Sequence, residues 1–423
     1  MHKIEKLLQT LAPKGVEFKT LEEVFEIKNG YTPSKNNPEF WKNGTIPWFR
    51  MEDLRENGRI LKDSIQHITP KALKGKKLFP KNSIIISTTA TIGEHALLIV
   101  DSLANQQFTF LSKKANCNLA LDMKFFFYQC FLLGEWCKNN TNVSGFASVD
   151  MTAFKKYKFP IPPLEIQQEI VKILDAFTEL NTELNTELKA RKKQYQYYQN
   201  MLLDFNDINS NHQDAKEKLA QKTYPKNLKT LLQTLAPKGV EFRKLGEVCD
   251  FQKGKSITKK AVTLGKVPVI SGGRQPAYYH NEANRSGETI AISSSGVYAG
   301  YVSYWDIPVF LADSFSVSPK QKTLMPKYLF HYLTTQQDAI HATKSTGGIP
   351  HVYSKDLQNF LIPIPPLEVQ QEIVKILDQF SILTTDLLAG IPAEIEARKK
   401  QYEYYREKLL AFKPLTPHKE VKK

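Results

Sequence analysis

The sequence predicts an α+β fold built as an internal pseudo-twofold duplication: two mixed modules carried by two long, antiparallel coiled-coil helices. Three observations predict it. First, three segments return in the same order. "LLQTLAPKGVEF" stands at Leu7–Phe18 and again at Leu231–Phe242, and "PIPPLEIQQEIVKILD" at Pro160–Asp175 comes back as "PIPPLEVQQEIVKILD" at Pro363–Asp378. "ARKKQYQYYQNMLLDF" at Ala190–Phe205 becomes "ARKKQYEYYREKLLAF" at Ala397–Phe412. Second, the interiors between these flanks diverge, leaving only a skeleton such as "SIIISTTATIG" against "TIAISSSGVYAG". Third, each copy ends in a long apolar seam. Two copies make a pseudo-dimer within one chain, not a solenoid.

The seam gives the helices. In the first copy it runs Ile166, Ile170, Ile173, Phe177, Leu180, Leu184, Leu188, Tyr195, Tyr198, Leu202, in steps of three and four. The second copy reads Val369, Ile373, Ile376, Phe380, Leu383, Leu387, Ile391, Ile395, Tyr402, Tyr405, Leu409. Pro163 and Pro366 stand where a helix tolerates proline. About 40 residues at ~1.5 Å each give roughly 60 Å of helix. A lone helix of that length would expose its seam, so the two are expected to pair. Gly390 and Pro392 in the second copy are positions where the helix can kink or restart.

The interiors read as short strands, "SIIIST", "QFTFLSK", "TIAISS", "YVSYW" and "SFSVSP", punctuated by Gly, Pro, Asn and Ser. "DMKFFFYQCFLLGEWCKNN" and "MPKYLFHYLTTQQDAIHAT" are helical in pattern.

Composition narrows the function. Lys and Arg number 58 against 43 Asp and Glu, a net charge of +15, which favours a polyanionic partner. No run approaches the roughly 20 apolar residues of a membrane span, and "MHKIEKLLQTLAPKG" has no leader-like apolar core, so a cytoplasmic location without membrane contact is expected. Cys117, Cys130, Cys137 and Cys249 form no metal-ligand spacing and are expected as buried, reduced thiols.

Catalytic motifs are missing. "GKS" at Gly254–Ser256 is not a phosphate loop, because the position that needs its first glycine is Cys249. No Gly-rich cofactor loop, NPPY-type tetrapeptide or Pro-Asp dipeptide occurs, and the nine histidines are scattered. No catalytic residue, metal or cofactor is therefore expected. Binding chemistry remains. "SGGRQPAYYHNEANRSGE" gathers Arg274, Gln275, Tyr278, Tyr279, Asn281 and Arg285, side chains suited to base edges and phosphates. "STTATIG", "NVSGFAS", "ISSSGVYAG" and "KSTGGIPHVYS" add Ser87, Thr88, Thr89, Ser144, Phe146, Ser294, Ser295, Tyr298, Thr346 and His351. Lysines such as those of "KALKGKKLFPK" are expected to line a phosphate track.

The proline–helix motif, met twice and each time after a divergent module, resembles the specificity subunit of type I restriction–modification systems, over about Leu7–Phe412. The resemblance implies target recognition domains of α/β type at 1–159 and 231–362, with long helices at 160–205 and 363–412; by its polar composition 206–230 reads as a linker with one short helix, and 413–423 as a basic tail. Each domain would read one half of a bipartite site in double-stranded DNA. The helices, through Ile166, Ile170, Ile173, Phe177, Val369, Ile373, Ile376 and Phe380, would space the domains and dock two modification (methyltransferase) subunits. Methyl transfer to adenine N6 would occur on that partner, and ATP-driven cleavage on a further restriction subunit. The subunit itself would be non-catalytic. Two other readings stand beside this one. In the first the chain is a coiled-coil scaffold whose modules bind protein or carbohydrate, marked by salt-insensitive binding. In the second it is a stand-alone enzyme, marked by methyl transfer from the chain alone.

One stretch of the first long helix makes it differ in length from the second. "TELNTELNTEL" at 178–188 repeats a four-residue unit. Asp175 and Ala190 are 15 positions apart, Asp378 and Ala397 19. Four residues add ~6 Å and ~400° of turn, leaving the seam only ~40° out of phase. The repeat is therefore expected to act as a ruler between half-sites.

Overall fold

The computed structural model describes residues 2–75, 77–142, 147–320, 322–345, 349–385 and 390–415. The chain divides into two compact units, Met1–Glu183 with Glu396–Lys423, and Leu184–Ile395. The sequence repeat thus does not coincide with the units, because the last stretch of the second copy packs with the first module.

In the first unit a five-stranded sheet runs in the order Phe25–Asn29, Phe108–Lys113, Ile84–Ser87, His95–Leu98, Ile60–Leu61. A three-stranded sheet joins His67–Ile68, Ile46–Phe49 and Leu103–Ala104. The "SIIIST" strand is buried along its whole length, as an apolar run between two packed faces requires. Helix Met123–Asn139 is capped by Asp122, whose carboxylate accepts from the Lys124 and Phe125 amides at 2.7 and 3.3 Å. Its phenylalanines meet Phe25 and Phe159 in the main core.

The second unit repeats the plan. Its four-stranded sheet runs Cys249–Lys253, Ser314–Pro319, Thr289–Ser293, Val302–Trp305, beside a three-stranded sheet of Tyr278–His280, Leu264–Ile270 and Phe310–Leu311. The expected second helical segment forms two helices, Pro326–Thr335 and Gln337–Ala342. In each unit the "GVEF" segment pairs antiparallel with the "PIP" segment in one register: Phe18 opposite Pro160, and Phe242 opposite Pro363. Proline is tolerated there because a two-stranded ribbon leaves an edge free.

The first long helix is continuous from Leu164 to Leu203 and passes from one unit into the other within the TELN repeat. The second is broken: Leu367–Thr385 and Ile391–Leu410 are separate helices, the latter starting at Gly390 and Pro392. Phe177 meets Tyr405, and further along the same helix Tyr198 meets Phe380. The partner order is reversed, so the pairing is antiparallel. Ile166, Ile170, Val369 and Ile373 are fully buried. In the second copy the seam departs from expectation after Phe380. Leu383 is 43% exposed while Thr384 is buried at 1%, its hydroxyl satisfied by the Phe380 carbonyl at 2.8 Å. Leu387 lies outside the described residues.

Residues 206–230, expected as a polar linker with one short helix, carry that helix but are packed into the second unit. Helix Ala215–Gln221 forms there, and Ile208, Leu219 and Tyr224 join that unit's core. Spaced apolar side chains suffice for this, where composition alone suggested a tether. Cys130, Cys137 and Cys249 are buried free thiols, and burial pushes the latter two up to about 12; Cys117 is half-buried. No helix of the described residues is long and apolar enough to cross a membrane.

Candidate nucleic-acid interface

Each module presents a turn built the same way. In the first, the Ser87 amide donates to Glu94 O at 2.7 Å and the Gly93 amide to Ser87 O at 2.9 Å. In the second, Ser293 donates to Tyr301 O at 3.0 Å and Gly300 to Ser293 O at 2.7 Å. Two more segments hold each turn: Thr88 N to Gln107 O at 3.1 Å and Val149 N to Thr88 O at 2.9 Å, matched by Ser294 N to Asp313 O at 3.0 Å and Val352 N to Ser294 O at 2.8 Å. Ala90 takes the left-handed conformation (φ 59°) that Gly296 takes in the other turn (φ 85°). The frame is one; the side chains on it differ.

In the second module three segments converge. Ser295 bridges to His351, and the Gly296 amide donates to Pro350 O at 3.1 Å. Gly272 sits against the Ser295 carbonyl so closely that a Cβ would overlap it at 2.6 Å. The Arg274 guanidinium lies over Tyr298 and Tyr301, 4.9 and 5.7 Å from the ring centroids. Arg274, Gln275, Tyr279, Asn281 and Tyr298 are exposed, Tyr278 and His351 half-buried. His351 packs on Tyr353 at 4.6 Å, and Lys355 Nζ stands 5.4 Å above the Tyr353 ring. Lys253, Lys255, Lys259 and Lys260 are all exposed nearby in sequence.

Other candidates face inward. Ser294 is buried, and the Ser295 hydroxyl donates to the Asp313 carboxylate. Arg285 was expected to reach a partner, but it directs its donors to Ser316 Oγ (2.9 Å), Asn284 O (2.7 Å), Gln252 O (3.1 Å) and Lys253 O (3.1 Å), knitting strand ends together. Burial lowers its pKa.

In the first module Ser87 is fully buried and donates to Thr89 O at 2.7 Å; buried Thr88 shares a hydrogen bond with Thr109 at 2.9 Å. Thr89 is half-buried and bridges to Ser148. Ser144, Phe146 and Thr346 lie outside the described residues. Beside this turn a cleft of about 680 Å³ is lined by Arg55, Arg59, Thr91 and Lys138 among others. Arg59 is held by Glu94 at 2.6 Å and lies over Phe131 at 5.3 Å, with Arg406 also over that ring, at 4.4 Å. Deep to them, His95 is pushed down to about 3 by burial and by the charges of Arg59 and Arg406.

The spacer residues divide. Ile166, Ile170, Val369 and Ile373 are consumed by the cores of their own units, while Ile173, Phe177, Ile376 and Phe380 are half-buried. The motif glutamines, not singled out by sequence, matter here. Gln167 Nε2 donates to Ala120 O (2.9 Å) and Pro162 O (2.7 Å) while its Oε1 accepts from the Asp122 amide (2.8 Å). Gln370 does the same with Thr323 O (2.8 Å), Pro365 O (2.7 Å) and the Met325 amide (2.8 Å). Sequence reasoning also missed Tyr301, Tyr353, Lys355, Gln107 and Asp313. The identical "PPLExQQE" context was the available signal for the glutamines; for the others only tertiary proximity gives one.

Comparison with known proteins places this geometry. The family model described as "Type I restriction modification DNA specificity domain" matches twice, at residues 13–194 and 237–397. The EcoprrI type I restriction enzyme specificity subunit of Escherichia coli is 39% identical over 399 residues, 91% of each chain. The EcoR124I/EcoR124II specificity subunit of Escherichia coli is 32% identical over 313 residues, 66% of this chain and 70% of that one. A solved S subunit of a type I restriction–modification system from M. genitalium superposes with a TM-score of 0.55 at 19% identity, covering 93% of this chain and 95% of that one, a likeness of fold.

Proposed function

We propose that this chain, which belongs to the type I restriction–modification DNA specificity subunit family, reads a bipartite site in double-stranded DNA, one half with each module, and supplies no catalysis of its own. One observation carries the reading: two turns of the same hydrogen-bonded frame bear different exposed side chains, Val297 and Tyr298 on one, Ala90 on the other. A constant frame with variable contacts is what reading two different half-sites requires. The net charge of +15 suits the phosphate backbone.

Modification subunits, two by the duplication, would dock on the long helices. Because Ile166, Ile170, Val369 and Ile373 are spent in the cores, that docking would use the half-buried and exposed helix positions around Ile173, Phe177, Ile376 and Phe380. The partner would flip the target adenine and methylate it. A restriction subunit would join the same assembly, in the cytoplasm.

Methylome sequencing of cells with and without the gene, the modification subunit present in both, tests this. A split motif that vanishes on deletion is expected; an unchanged methylome overturns the reading. Binding of duplex DNA by the assembled complex should weaken steeply with salt, and salt-insensitive binding counts against it.

A further inference from the structure

Building on that DNA-reading assignment, we infer that Arg274 is the residue with which the second module recognises a guanine in its half-site. The stretch Ser271–Glu288 holds two arginines, and the fold separates them. Arg285 has its guanidinium bonded to Ser316 Oγ and to three backbone carbonyls. Arg274 is exposed, and among the described residues no ion pair or hydrogen bond occupies it.

What holds Arg274 is two tyrosine faces. Tyr298 and Tyr301 lie 4.9 and 5.7 Å from its Cζ. A guanidinium resting on rings keeps its N–H edge free, and its side chain loses less freedom on binding. The loop can bring it there because Gly272 leaves no Cβ to collide with Ser295 O. The turn bearing Tyr298 is itself tied to His351 through the Ser295 bridge, so the arginine stands at the junction of three segments. A rigid planar fork with two free parallel donors matches guanine O6 and N7, whereas a phosphate contact needs only a point charge. An exposed arginine held on tyrosine rings is found at this place in the second module. The first module follows its equivalent strand with Arg50, half-buried over Trp48 at 5.8 Å and 3.8 Å from Glu52.

The test is methylome sequencing of the assembled complex carrying wild-type chain, Arg274→Ala or Arg274→Lys. The wild-type motif should contain a guanine that Arg274→Ala relaxes, raising methylation of sites with another base there by about tenfold or more relative to the cognate site. The other half-site and the gap should not change. Arg274→Lys keeps the charge without the fork and should relax the same position, which also covers the case in which the alanine variant fails to fold. Two results overturn the assignment: a wild-type motif whose half-sites hold no guanine, or variants that weaken methylation uniformly without relaxing any letter, the mark of a phosphate contact. A wild-type complex that methylates no split motif overturns the DNA-reading assignment itself.

Discussion

Phe177 stacks on Tyr405 with ring centroids 5.6 Å apart and planes inclined by 28°. Phe380 repeats the contact on Tyr198 at 5.1 Å and 23°. Residues far apart in the chain thus form the same joint twice, once in each unit. The C-terminal helix is held to the first module by such contacts: Arg406 covers Phe131, and Gln129 Nε2 donates to Leu410 O at 3.2 Å.

This joint should be measurable. Phe177→Ala is expected to lower unfolding stability by about 2–3 kcal/mol, less than a fully buried ring because Phe177 is half-buried. With Tyr405→Ala it should show a coupling of about 0.5–1.5 kcal/mol in a double-mutant cycle from denaturant unfolding. Strict additivity would show that the ring contact contributes nothing of its own.

The glutamine clasp makes a second prediction. Gln167 is fully buried and satisfies two carbonyls and one amide. Gln167→Leu keeps volume but orphans all three, so it should cost about 2–4 kcal/mol. Gln370→Leu should cost a similar amount in the second unit. A leucine variant that unfolds at the wild-type denaturant midpoint would remove the clasp from the list of stabilising interactions.

His95 sets a pH dependence. Its folded pKa is lowered from 6.5 to about 3, so the unfolded chain binds the proton first. Stability from this group is complete above pH 6.5 and falls as pH drops, by roughly 1.4 kcal/mol per unit until about 3. His95→Phe should flatten that slope in denaturant titrations run between pH 6.5 and 4.5. An unchanged slope in the variant would mean that other groups carry the acid sensitivity.

The TELN repeat should act as a spacer. It lies in unbroken helix, with Thr178 and Thr182 bonded back to Leu174 O and Thr178 O at 2.9 and 2.8 Å, and none of its side chains is fully buried. Inserting one TELN adds ~6 Å, and the gap between half-sites is expected to grow by about one to two base pairs at ~3.4 Å each. Sequencing the methylome of the insertion strain reads both letters and gap. An unchanged gap, or new half-sites, refutes the ruler.

The duplication, the strands of "SIIIST" and "TIAISS", the Met123–Asn139 helix and the seam from Ile166 to Phe177 could all be read in the sequence, because periodicity and repetition are local properties of the chain. The break before Ile391 was legible too, in Gly390 and Pro392. Tertiary structure decided the rest. Arg274 and Arg285 look alike in sequence; only the carbonyls that distant strands bring to Arg285 tie it down, while Tyr298 and Tyr301 leave the edge of Arg274 open. Ile166 and Ile170 carry a coiled-coil pattern, yet the module's own helix and sheet cover them. That Glu396–Lys423 belongs with the first module rests on contacts such as Phe177 with Tyr405, whose energy depends on meeting in space and not on spacing along the chain.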